Sequence, residues 1–102
     1  MKLIKKIVEQ IDKEIEAAQD YADCALNHKD DSRELTELYI KLSSAELEHS
    51  DWLHAHAVRI IERYRMEKGE APVEMKAIWE YEHQKHMKQV AKVRIMLDMA
   101  RK

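Results

Sequence analysis

The sequence predicts an all-α fold, an antiparallel three-helix bundle, on three observations. Its 102 residues include one Gly, one Pro and no Phe. Glu, Lys, Ala, Leu, Ile, Met and Arg, which favour or tolerate helix, dominate the rest. Only two short stretches interrupt the pattern, and between them apolar residues recur at about 100° per residue, the helical period. A chain of this length is read as one domain, residues 1–102.

The first helix is expected over 2–29. Its apolar stripe runs Ile7, Ile11, Ala18, Tyr21 and Ala25, with Glu14 inside it. The break "NHKDDSRE", residues 27–34, is rich in cap residues. Asp31 or Ser32 can cap the next helix, with Glu34 and Glu37 in its first turns. That second helix is expected over 32–68, with a stripe of Leu35, Leu38, Leu42, Ala45, Leu53, Ile60 and Tyr64; Glu46, His49 and His56 fall inside it. In "KGEAPVE", residues 68–74, Gly69 fits a C-terminal cap and Pro72 the first turn of the third helix. The third helix is expected over 72–101, with Met75, Trp79, Val90, Val93, Leu97 and Ala100 in its stripe. His86 lies near the centre of that stripe, and Glu82 and His83 on its flanks. The helices would be about 42, 55 and 45 Å long, long for so small a domain.

Charge excludes several function classes. The formal net charge is −2, and 37% of residues are charged. Basic residues alternate with acidic ones and form no stripe, so no nucleic-acid partner is expected. A lone cysteine cannot form an intrachain disulfide and suits a reducing cytosol. No apolar run approaches a membrane span, and the N-terminus lacks the apolar block of a signal peptide; the expectation is a cytoplasmic protein with no membrane partner. The run "KLIKKIVEQIDKE" reads as a solvated bundle face, because acidic residues interrupt its basic ones. The six methionines read as core or interface filler, and Cys24 as a half-buried structural thiol.

The stretch "SSAELEHSDWLHAH", residues 43–56, carries the chemistry. Glu48, Asp51 and His54 project away from the stripe, as does Glu16 on the first helix. Glu46, His49 and His56 project inward. An inward carboxylate is costly unless it is paired or bound to a cation. Glu and His three positions apart share one helix face, so Glu46 and His49 can reach one ion. His56, two turns on, is about 10 Å away along the axis, too far for the same ion. It reads as a core or supporting histidine, and His28 as a surface one. The Glu-x-x-His spacing is weak by itself. It occurs at Glu46/His49 and Glu80/His83, where chance yields about one such pair in this composition. Inward placement carries more weight: Glu14, Glu46 and His49 are candidate metal ligands, joined from the third helix by Glu82, His83 and His86. Glu80 sits about 100° off its stripe. Mixed carboxylate and imidazole ligation suits iron, manganese or zinc.

At these residues the chain resembles the ferritin-like superfamily, and rubrerythrin-type domains in particular. The first helix reads "EIEAAQDYADCA", with Glu14 followed by Ala17 and Tyr21; the second reads "SSAELEHSDWLH". The resemblance covers roughly residues 4–65. It implies that Glu14 is a terminal metal ligand, that Glu46 bridges two metals and that His49 completes one of them. It also implies iron, held as a di-iron centre. The third helix departs from the pattern, a fourth is missing, and no CxxC rubredoxin element is present. Short encapsulated ferritins, which are similar, need a partner chain to assemble the metal centre. The expectation is a homodimer or higher homo-oligomer that completes a four-helix site across a two-fold axis. Trp52, at the edge of the stripe, either joins that interface or packs on helix three.

Two readings of function follow. The first is a ferritin-like metal protein with ferroxidase or peroxidase chemistry. The second is a non-catalytic helical interaction module with a degenerate ferritin-like core, its inward polar groups forming a metal-free network.

Overall fold

The computed structural model describes residues 2–102; residue 1 of the expected domain lies outside the described residues. Three helices form, α1 (Lys2–Asn27), α2 (Arg33–Lys68) and α3 (Val73–Arg101), and among the described residues there is no strand. The boundaries follow local chemistry. Of the two candidate caps before α2, Ser32 is the one used: its hydroxyl accepts from Leu35 N–H at 3.2 Å. Gly69 ends α2 at φ 85°, a left-handed value that suits glycine, and its N–H donates to the Arg65 carbonyl at 2.9 Å. Pro72 stands just before α3, and its carbonyl accepts from Met75 and Lys76.

The body measures 55 × 18 × 17 Å, one long helix in length and less than two helix diameters in thickness. α1 packs most extensively on α2, less on α3, and α2 and α3 touch least. Thr36 lies by Ala25 and Ser43 by Ala18, so α1 and α2 run antiparallel. His86 lies by Asp12, while Val93 and Leu97 cluster with Ala18 and Ala22, so α3 runs parallel to α1.

The seam of α2 differs from the expected one. Leu38 is about half exposed, whereas Thr36, Ser43, Leu47, Ser50 and Ala57 are buried. Thr36, Ser43, Ser50 and Ala57 recur every seven residues; Thr36 and Ser43 oppose Ala25 and Ala18 of α1, and Ala57 packs among Ile7, Ile11 and Ile15. Small residues on both helices let the backbones approach closely. The Ser43 hydroxyl consequently donates directly to the Ala18 carbonyl, at 2.7 Å. A leucine in place of Ser43 would hold the helices apart there, so Leu35, Leu38 and Leu42 flank the Thr36–Ser43 contact, whereas Leu47 is buried with Ala18, Ala22, Val93 and Leu97. The stripes on α1 and α3 hold as expected. Ile15 and Ala22 join the first, and the third includes buried His86, Val93, Leu97 and Ala100. His56, expected inward, is exposed, because the rotation of α2 that buries Ala57 turns it out. No helix among the described residues is long and apolar enough to cross a membrane.

The close α1–α2 contact makes a direct prediction. Ser43→Leu overpacks the seam and should cost about 1–3 kcal/mol; Ser43→Ala, which loses one hydrogen bond, should cost about 1 kcal/mol. Urea melts followed by circular dichroism measure both, and equal stability of all three proteins would contradict the close packing.

Candidate metal site

The expected ligands separate into two clusters because of where α1 stands. Asp12 and Glu14 are two residues apart, so they project about 200° apart around the helix. Glu14 faces α2 and Asp12 faces α3.

On the α2 side, Glu14, Glu46 and His49 each offer a ligand atom, all within 4.8 Å of one another. His49 Nδ1 lies 3.5 Å from Glu14 Oε2 and 3.8 Å from Glu46 Oε2. The side chains retain 29% (Glu14), 23% (Glu46) and 43% (His49) of their exposure, so the cluster is open to solvent along one edge. This follows from the rotation of α2: Leu47 and Ser50 occupy the seam, and their neighbours Glu46 and His49 border it. The Trp52 ring packs against His49 at 5.4 Å and is 60% exposed; it covers the rim of the cluster and does not fill the core against α3. Glu46 is held above its usual carboxylate pKa, first by a hydrogen bond with Glu14, then by burial and by the Glu14 charge, while His49 acts in the opposite sense. Two carboxylates therefore share this site, and among the described residues no lysine or arginine is within ion-pairing distance of either.

On the α3 side, Asp12, Glu82 and His86 also lie within 4.8 Å of one another. His86 is buried, and its Nε2–H donates to Asp12 Oδ1 at 2.5 Å. Here a cation is already supplied. Lys85 Nζ lies 2.8 Å from Glu82 Oε2 and 3.5 Å from Asp12 Oδ1. The approach to Glu82 is the main cause that raises the Lys85 ammonium above its usual pKa, with Asp12 adding to it and burial opposing. Glu82 Oε2 is buried without a well-directed hydrogen bond, so Lys85 compensates it by charge. This cluster is a polar network in which one lysine offsets carboxylate charge and His86 binds Asp12. Asp12, the member the periodicity missed, lies beside the α1 stripe and not within it; only the identity of its neighbour on α3 reveals it.

His83 joins neither cluster. Its Nδ1 lies 3.1 Å from His54 Nε2, and both rings stack with Trp79. His54, expected on the surface, is half-buried there. Burial lowers its pKa, helped by the charges of His83 and His86 and opposed by Asp51. Glu80 is exposed and accepts from Gln84 at 2.8 Å, as its off-stripe position implied.

No protein-family model, curated protein or solved structure matches this chain.

The two clusters should respond oppositely to losing a carboxylate in metal-free protein. Asp12→Ala strands a buried imidazole and should destabilise by about 1–3 kcal/mol. Glu14→Gln relieves a carboxylate pair and should leave stability at pH 7 unchanged or raised; equal losses in both would contradict the distinction. Because the folded-state pKa of Glu46 is raised above its usual 4.5, the folded form binds the proton more tightly than the unfolded one. The stability it contributes is therefore present below pH 4.5 and lost as pH rises through the folded-state value. Urea midpoints across this range should show that decline in metal-free wild type and a shallower one in Glu46→Gln.

Proposed function

We propose that this chain binds a divalent transition metal through Glu14, Glu46 and His49, as a ferritin-like metal protein whose natural ion is iron. One observation carries the reading: two carboxylates and an imidazole converge from two helices, and among the described residues no lysine or arginine balances them. A divalent ion would relieve the repulsion between the two carboxylates and compete with the proton at Glu46, whose pKa is raised. The donor set fits the group, since oxygen and nitrogen ligands together suit iron, manganese and zinc.

Three donors bind one ion and leave coordination positions open toward the exposed edge. A second copy of the chain over that edge would supply further carboxylates and a second imidazole, enough for a two-metal centre. Iron supplies one-electron chemistry when bound, in the ferroxidase or peroxidase class. The chain's own residues have narrower tasks. Glu14 and Glu46 hold the ion from facing helices, His49 fixes its third position, and Trp52 shields the imidazole from solvent on one side.

The alternative, a non-catalytic interaction module, is favoured by a different observation. The α3-side cluster that would complete a site within one chain already holds a cation, Lys85, and large apolar side chains stand exposed on α3.

Metal content decides between them. Protein expressed in iron-, manganese- and zinc-supplemented medium should hold about one to two equivalents of iron or manganese per pair of chains, and Glu46→Ala should lose it. Apparent affinity should fall as pH is lowered, because the proton competes at Glu46. Zinc alone would assign a structural ion, and no metal in either protein would leave the interaction module.

A further inference from the structure

α3 carries a second apolar face on the side away from the core. Ala77, Tyr81, Ala91 and Ile95 are all exposed there, Tyr81 by 67% and Ile95 by 61%. They lie about 180° around the helix from the seam of Val93 and Leu97. A helix apolar on two opposite sides is suited to contacts on both, and α1 and α2 cover only one.

The order of residues on this face identifies its occupant. Ala77, Tyr81, Gln84, Lys88, Ala91 and Ile95 follow at the alternating spacings of four and three residues common to helix stripes, and here small and large side chains stand in complementary order about position 86. The face therefore matches itself when a second helix is laid on it antiparallel, about a two-fold axis near position 86. In that register Ala77 meets Ile95 of the second copy, and Tyr81 meets Ala91. Each layer pairs one small side chain with one large, which fills space evenly. Gln84 meets Lys88, a polar central layer of the kind that sets register at some cost in stability.

The flank agrees. Glu80, Met87 and Arg94 lie along one edge of the stripe at seven-residue spacing, all exposed. In an antiparallel pair this edge meets the same edge of the other helix. Met87 then faces its own copy near the axis, and Glu80 faces Arg94 on both sides of it. On the opposite edge, Ile78, Lys85 and Lys92, Lys85 comes near its own copy in this register; a parallel pairing would bring Lys88 onto Lys88, Tyr81 onto Tyr81 and Ile95 onto Ile95, and would turn Glu80 toward Lys85. We propose that the outer face of α3 is a homodimer interface, formed by antiparallel self-pairing of α3 about a two-fold axis near residue 86.

This contact is separate from the Glu14–Glu46–His49 edge and needs no metal. Sedimentation equilibrium of the full chain in EDTA should show a dimer, and Glu46→Ala should show the same dimer. Glu80→Arg should weaken it by about tenfold or more through like-charge contact with Arg94. The double variant Glu80→Arg/Arg94→Glu should restore it, while circular dichroism shows unchanged helicity throughout. In a Cys24→Ser background, a short bismaleimide should cross-link Met87→Cys and fail to cross-link Ala77→Cys, whose copies lie about 27 Å apart in this register. A monomer in EDTA, equal cross-linking at both positions, or association that requires metal and is lost in Glu46→Ala would each overturn the proposal.

Discussion

The close contact between α1 and α2 governs the rest of this molecule. A serine side chain is short, yet the Ser43 hydroxyl reaches the Ala18 carbonyl of the facing helix at 2.7 Å. Such a reach requires near-contact of the two backbones, and so requires small residues on both. Ala18 and Ala25 of α1 with Ser43 and Thr36 of α2 meet that requirement. Once they define the seam, the rotation of α2 is set for its whole length. Glu46 and His49 come to the rim beside Glu14, Trp52 comes to the outside, and His56 turns to solvent.

The two carboxylate–imidazole clusters show how similar residue types acquire different roles. Both hold two carboxylates and one histidine within a few ångströms. On the α3 side, Lys85 brings a permanent positive charge, and Asp12 pairs with the buried His86. That arrangement resembles the paired networks that lend specificity to helical cores. On the α2 side the counter-charge is missing, and the edge is open enough for an ion to enter. The difference in balancing charge, more than the distances, separates a candidate metal site from a structural network.

The second helix pair adds a different constraint. α1 is covered on two sides, so α3 has α1 on one face and solvent on the other. Large apolar groups on that solvent face are tolerated singly in any soluble protein, but here Tyr81 and Ile95 share one face on either side of the polar pair Gln84 and Lys88. The bundle described by one chain thus has two incompletely satisfied faces: a polar rim short of positive charge and an apolar helix face short of neighbours.

The sequence by itself determined the helices, their ends and two of their three seams. Those depend on local chemistry: a cap at Asp31 or Ser32, the Gly69 turn, the apolar period of α1 and α3. It also placed Glu14, Glu46 and His49 together, because a carboxylate on one helix and a Glu-x-x-His on the next share the seam's side of the pair. Only the tertiary structure decided the seam of α2. Hydrophobicity favoured Leu35, Leu38 and Leu42, but close approach to Ala18 and Ala25 favours Thr36 and Ser43, and size prevails over hydropathy where backbones nearly touch. Only the tertiary structure divided the expected single site, drawing Glu82 and His86 to Asp12 and Lys85 and setting His83 against His54. The position of α1 between its neighbours brings these groups together, and a pattern read along one helix contains no information about which side chain faces it from another.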